Sequence, residues 1–172
     1  FHRPVPSASE NLSYLASELP DEMMSSAAVI TPSASLTHAE LSTHAHTVMR
    51  ALMDYGVRQH ECVGVLLSKG TPMPAAVHGV LLAGGAYVPI APDLPALRIE
   101  YISSDAAMSV VLTSEAYRSG REWPSRLDPG KLLVVEEMLA RYGSSPATTP
   151  RPHGDMAYVI FTSGSTGEPK GS

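Results

Sequence analysis

The sequence predicts an α/β protein: a layered, largely parallel β-sheet with helices flanking its faces. Three observations carry this. Short apolar runs that suit strands alternate with amphipathic runs that suit helices. The run CVGVLLS, residues 62–68, is almost continuously apolar, as a strand buried on both faces of a parallel sheet must be. Helix-starting and helix-stopping residues punctuate the alternation.

The elements follow in order. SASENLSYLASELP sets Leu12, Leu15 and Leu19 on a helical stripe, with Ser7 and Glu10 at capping-box spacing. SAAVI, TPSA and SLT read as a short strand, a turn and another short strand. LTHAELSTHAHTVMRALMDYGV is the clearest helix: Thr37 and Glu40 repeat the capping-box pattern, Leu41, Ala45, Val48 and Leu52 form the apolar face, and Gly56 stops it. After CVGVLLS, the stretch TPMPAAVHGVLLAGG predicts a helix capped by Thr71. Pro72 takes its first position, where a missing N–H costs nothing, and Gly84 and Gly85 end it.

AYVPI is a strand, and LPALRIEYISSDAA a helix with Leu97 and Tyr101 facing inward and Ile102 a further candidate. SVVLT is a strand. SEAYRSGREWPSRL is a weak helix, interrupted at Gly120 and ended near Pro124. KLLVVEE is a strand, YGSSPATTPRPHGD a surface loop or linker, and MAYVIFT the last strand.

Composition narrows the function. The chain has 172 residues, enough for one domain or a large part of one, and 44% of them are hydrophobic, enough for a real core. The net charge is -5 and the basic residues are scattered, which argues against nucleic acid and anionic lipid as partners. No run approaches the ~20 apolar residues of a membrane span, and no apolar signal core opens the chain. Cys62, the single cysteine, reads as a buried thiol. With no intrachain disulfide to form, a reducing, cytoplasmic setting is expected.

The chemistry concentrates in TSGSTGEPKG. Thr162, Ser163, Ser165 and Thr166 each bring a hydroxyl and a backbone N–H, and Gly164 and Gly167 allow close approach to a ligand. Lys170, one of only three lysines, adds a positive charge on a flexible stem. A phosphate chain is the natural guest. A plain flexible linker is the bland alternative, weakened because the loop follows a buried-type strand directly. The Walker loop needs G-x-x-x-x-G-K-[ST]. Counted from Gly164, its second glycine falls on Pro169, so the spacing fails.

MAYVIFTSGSTGEPKG resembles the phosphate-loop signature of adenylate-forming enzymes, in particular the adenylation domains of nonribosomal peptide synthetases. Every fixed position of T-S-G-[ST]-T-G-x-P-K-G is present. Upstream, LTHAEL resembles the family's L-[ST]-Y-x-E-L, with His38 where Tyr is usual. LLAGGAYVPIAPDLPALR resembles L-K-A-G-G-A-Y-V-P-[LI]-D-P followed by P-x-x-R, with Leu82 and Ala91 in place of Lys and Asp. The resemblance runs from about Leu12 onward, and AGGAYVPI leans toward amino-acid-activating members.

It implies a fold, the partial N-terminal subdomain of an adenylate-forming enzyme, with residues 1–172 as an adenylation domain truncated after the phosphate loop. It implies a reaction in two steps. A carboxylate, of an amino acid or another acid, attacks the α-phosphate of Mg-ATP to give an acyl-adenylate and pyrophosphate. The acyl group then passes to the phosphopantetheine thiol of a carrier domain, with a condensation domain as a further partner. Thr162, Ser163, Ser165 and Thr166 are implied to bond the phosphates, Gly164 and Gly167 to shape the loop, and Lys170 to act catalytically on the β- and γ-phosphates. Mg²⁺ is implied to share the charge, held mainly by residues outside this chain.

The chain opens on Phe1 and stops two residues after Lys170, so a piece of a longer polypeptide is expected, inactive and poorly soluble by itself. Alternatives are an acyl- or aryl-CoA synthetase of the same superfamily, a non-catalytic phosphate- or nucleotide-binding module, and a purely structural fragment of a broken gene.

Other polar residues read as structural. His44 and His46, two apart on a helix, point about 200° apart and cannot share one ion. His38 and His78 have no evident partner ligand. Glu136 and Glu137, read as adjacent strand residues, face opposite ways. His153 and Asp155 read as turn formers, and Tyr87 and Pro89 as packing residues.

Overall fold

The structure, a computed structural model, describes residues 19–143, 149–151, 156–163 and 169–171, the residues after Phe161 by their backbone. The expected helix around Leu12 and Leu15 lies outside the described residues.

A short helix α1 (Asp21–Met24) leads into an antiparallel hairpin of β1 (Ala27–Ile30) and β2 (Ser35–Thr37). Helix α2 (His38–Tyr55) follows with the expected capping box. The Thr37 hydroxyl accepts from the Glu40 N–H at 3.2 Å, and the Glu40 carboxylate accepts from the Thr37 N–H at 2.8 Å. Gly56 ends the helix in the left-handed region, φ 97°, where only glycine is at ease.

The body is a four-stranded parallel sheet in the order β4-β3-β5-β6, built from β3 (Cys62–Leu66), β4 (Ala86–Pro89), β5 (Val110–Thr113) and β6 (Leu132–Val134). Helix α3 (Pro72–Leu82) connects β3 to β4. Helix α4 (Ala96–Asp105) carries the chain back past β3 to β5. The two crossovers travel in opposite directions, so right-handed connections put these helices on opposite faces. Short α5 (Glu115–Gly120) joins β5 to β6, and α6 (Val135–Tyr142) follows β6.

Strand alternation divides the core. Val63 and Val65 of β3 and Val110 and Leu112 of β5 face a cluster closed by α2, α3 and α6, with Val48, Leu52, Val80 and Met138. Cys62, Leu66 and Val111 face the other cluster with Ile90, Ile99, Ile102 and Leu127. All five residues of β3 are buried, as its composition predicts. Burial pushes the Cys62 thiol up, so it rests as a neutral packing group.

Four expectations are corrected. Leu97 of α4 points to solvent at 80% exposure and Tyr101 is 37% exposed, while Ile99 and Ile102 are buried. These two isoleucines, three apart, fix the inward stripe, and Leu97 lies about 200° round from Ile99. Thr71 makes no side-chain cap, because its own backbone is already helical (φ −63°, ψ −32°). KLLVVEE is a strand only over Leu132–Val134. Glu136 and Glu137 sit in the first turn of α6, where carboxylates suit the positive end of a helix. MAYVIFT is not one continuous strand: Tyr158 makes an isolated parallel bridge to Tyr87, and the next paired strand begins at Phe161.

Candidate functional site

The route to TSGSTGEPKG starts beneath the sheet. The Arg151 N–H donates to the Leu82 carbonyl at 2.9 Å, and its guanidinium donates to the Val57 carbonyl at 2.7 Å. Both carbonyls lie just before sheet strands, β4 and β3, so Arg151 anchors the chain at the amino-terminal end of the sheet. Residues 157–159 then lie alongside β4. The Tyr87 N–H donates to the Ala157 carbonyl (3.1 Å) and the Val159 N–H to the Tyr87 carbonyl (3.0 Å). The Tyr87 and Tyr158 rings stand 5.8 Å apart.

This segment runs parallel to β4 and delivers the chain to the carboxyl end of the sheet, where ligands of open α/β sheets gather. Val159 and Phe161 pack against the cluster that holds Ile90 and Ile99. Beyond it, β7 (Phe161–Ser163) and β8 (Pro169–Gly171) pair antiparallel, with Phe161 opposite Gly171, Thr162 opposite Lys170 and Ser163 opposite Pro169. The loop is thus carried on a strand pair rooted in the core. Its register returns Lys170 to the position beside Thr162, with Cα atoms about 5 Å apart as in any antiparallel pair. Gly164, Ser165, Thr166 and Gly167 lie outside the described residues.

The other polar candidates fall into structural roles. His46 Nδ1 bonds the Ser42 carbonyl one turn back at 2.8 Å, and Glu137 accepts from the Arg118 guanidinium at 2.7 Å. Burial lowers the pKa of His78, which keeps it neutral on α3. His153 and Asp155 lie outside the described residues. Among the described residues no three His, Cys, Asp or Glu side chains gather as a metal site, so none of them is assigned to the Mg²⁺ that the resemblance implies. Also among them, no helix is long and apolar enough to cross a membrane.

The AMP-binding enzyme family matches residues 19–172, nearly the whole chain. The chain belongs to the AMP-binding enzyme family. Bacitracin synthase 1 of Bacillus licheniformis is 34% identical over 159 residues, covering 91% of this chain and 3% of that protein. Surfactin synthase subunit 2 of Bacillus subtilis (strain 168) is 38% identical over 140 residues, 80% of this chain and 4% of that one. Among solved structures, the nonribosomal peptide synthetase FmoA3 in its AMPPNP-bound form superposes with a TM-score of 0.75 at 34% identity, covering 87% of this chain and 15% of its own. The N-terminal subdomain of Klebsiella oxytoca NpsA, at 16% identity and a TM-score of 0.78 over 94% of this chain, shares the fold. The chain therefore spans a few per cent of the curated relatives it matches, and its architecture is that of the N-terminal subdomain of adenylate-forming enzymes.

Three features of this family member were missed by sequence reasoning. Arg151 looked like part of a loose linker and is an anchor. Tyr87 read as a packing residue and Tyr158 as one residue of the last strand, and together they form the junction between sheet and hairpin. Arg121 attracted no notice and grips the loop after β4. No sequence signal marks it, because the two carbonyls it binds lie 29 and 27 residues away along the chain.

Proposed function

We propose that the chain is the N-terminal part, residues 1–172, of an adenylation domain in a nonribosomal peptide synthetase. In this reading it activates an amino acid with ATP, forming an aminoacyl-adenylate and pyrophosphate, and the acyl group is then loaded onto the phosphopantetheine thiol of a carrier domain. Carrier and condensation domains of the same synthetase are its partners, and the reducing cytoplasm is its setting.

One observation carries the reading: a T-S-G-S-T-G-E-P-K-G loop rooted on a strand pair at the carboxyl end of a parallel sheet, in a family member whose similar proteins are peptide synthetases. The donor set suits a polyphosphate. Hydroxyls of Thr162, Ser163, Ser165 and Thr166 and the N–H groups around Gly164 and Gly167 are donors, with no carboxylate before Glu168. Lys170 supplies the full positive charge. Donors of this kind help most where charge accumulates, on the departing pyrophosphate. Mg²⁺ supplies further charge neutralisation when bound.

The test is ATP–pyrophosphate exchange with a panel of amino acids, using the polypeptide that carries this chain. One or a few amino acids should support exchange, and Lys170→Ala should lower it about a hundredfold. Exchange unaffected by Lys170→Ala would refute the assigned role. A fatty acid AMP ligase from Legionella pneumophila also superposes, with a TM-score of 0.66 at 26% identity over 80% of this chain, so fatty and aryl acids belong in the panel. Activity with those alone, or thioester formation on free CoA, favours the acyl- or aryl-CoA synthetase reading. ATP binding without exchange favours a non-catalytic module.

A further inference from the structure

Residues 90–95 connect β4 to α4 at the carboxyl end of the sheet, beside the strand segment that leads into the phosphate hairpin. Pro92 and Pro95 have no N–H, and the loop closes on itself through one backbone bond, Leu94 N–H to the Ala91 carbonyl at 3.1 Å. Its outward carbonyls need donors from elsewhere. Arg121 supplies two: one guanidinium nitrogen donates to the Pro92 carbonyl at 2.9 Å, the other to the Leu94 carbonyl at 2.6 Å. A planar fork of this kind fixes two acceptors at once, which a lysine ammonium cannot match.

Arg121 is itself held. Its guanidinium lies 5.3 Å from the centre of the Trp123 ring. The indole N–H of Trp123 is shared between the Tyr117 and Arg118 carbonyls, both at 3.2 Å, which ties it to α5. Helix α5 starts from a Ser114 cap directly after β5. A continuous chain of fixed groups thus runs from the carboxyl end of β5 to the loop after β4. Leu94 and Trp123 pack on the same apolar cluster as Val159 and Phe161, the base of the hairpin. The Arg121-gripped loop and the base of the hairpin thus share one apolar cluster as their seat.

We propose that Arg121 is a positioning residue for the phosphate hairpin: by clamping the Pro92 and Leu94 carbonyls it fixes the seat under Phe161 and so the aim of the loop at ATP. The proposal rests on the adenylation reading above. It acts through placement, so its loss weakens the fit to ATP more than the fit to the carboxylate substrate.

The experiment compares the unmodified polypeptide with Arg121→Ala and Arg121→Lys, reading pyrophosphate exchange, Tm and amide hydrogen exchange. In Arg121→Ala the KM for ATP should rise about tenfold with the KM for the amino acid unchanged, and Arg121→Lys should fall between. The Val159 amide, on the far side of the seat, should exchange faster together with that of Leu94. An unchanged KM for ATP overturns the proposal. So does faster exchange at Leu94 with none at Val159, which marks a merely local brace. Should Arg121→Ala not fold, Arg121→Lys decides: a raised KM for ATP supports the clamp, and a wild-type value overturns it. An unmodified polypeptide without exchange activity refutes the adenylation reading instead, and the Val159 amide then judges the clamp.

Discussion

Gly79 has no room for a methyl group. A Cβ built there would lie 2.6 Å from the Val48 side chain and 2.9 Å from the Ala45 carbonyl, so α3 rides directly on α2 at this point. Gly79→Ala gains about 1 kcal/mol of helix propensity. It also forces two packed helices apart, at about 1–3 kcal/mol. The backbone carbonyl cannot turn aside as a flexible side chain would, so net destabilisation of about 1 kcal/mol is expected in denaturant unfolding of the polypeptide carrying this chain. Equal or greater stability would disprove the close approach. At this scale the sequence was partly legible. Leu41, Ala45, Val48 and Leu52 proved buried because a long amphipathic helix leaves one choice of face. Leu97 misled because it is as apolar as Ile99, and only contact with the sheet decides between them. The hydroxyls of Thr162, Ser163, Ser165 and Thr166 remain assigned by type and spacing.

Among the elements, α2 shows how a local signal becomes a pH-dependent one. The Thr37 N–H, and then the Thr37 hydroxyl, hold the Glu40 carboxyl below its ordinary value of 4.5. A carboxylate with a lowered folded-state pKa contributes stability above its unfolded value and loses it as pH falls through the folded one. The Tm gap between wild type and Glu40→Ala should therefore be full at pH 7 and shrink below about pH 4.5. A gap that is constant down to pH 3 would show the charged cap is not the cause. Capping boxes are legible because both partners lie within one turn. The end of β6 was not: Val134 and Val135 are equally apolar, and only α6 packing on α2 separates strand from helix. The pairing of β7 with β8 was hidden for a related reason, since Pro169 and Gly171 read as loop residues until Phe161–Ser163 lies beside them.

For the molecule as a whole, the four-stranded sheet is a floor, and the hairpin is a two-stranded sheet of its own, joined to it alongside β4. The floor is fastened through β3, buried on both faces, with β4 and β5 on either side. Among the described residues the attachment includes the two backbone bonds at Tyr87, the Tyr87–Tyr158 contact and the seating of Val159 and Phe161. Global stability and ligand geometry should therefore separate. Val159→Pro removes the N–H that bonds the Tyr87 carbonyl while leaving every bond of the four-stranded sheet intact. Amides of Val63 and Val65 in the floor should keep their hydrogen-exchange protection, because they open only with the global transition. The Tyr87 amide, which bonds Ala157 across the junction, should lose its protection. A hairpin displaced by about 1 Å from its productive position is enough for a loss of about a hundredfold in kcat/KM for ATP. If Val63 and Tyr87 lose protection together, the hairpin is part of the floor's cooperative unit, and the division into floor and attachment is wrong. If Tyr87 alone is released and pyrophosphate exchange falls with it, the aim of the phosphate loop is set at this junction.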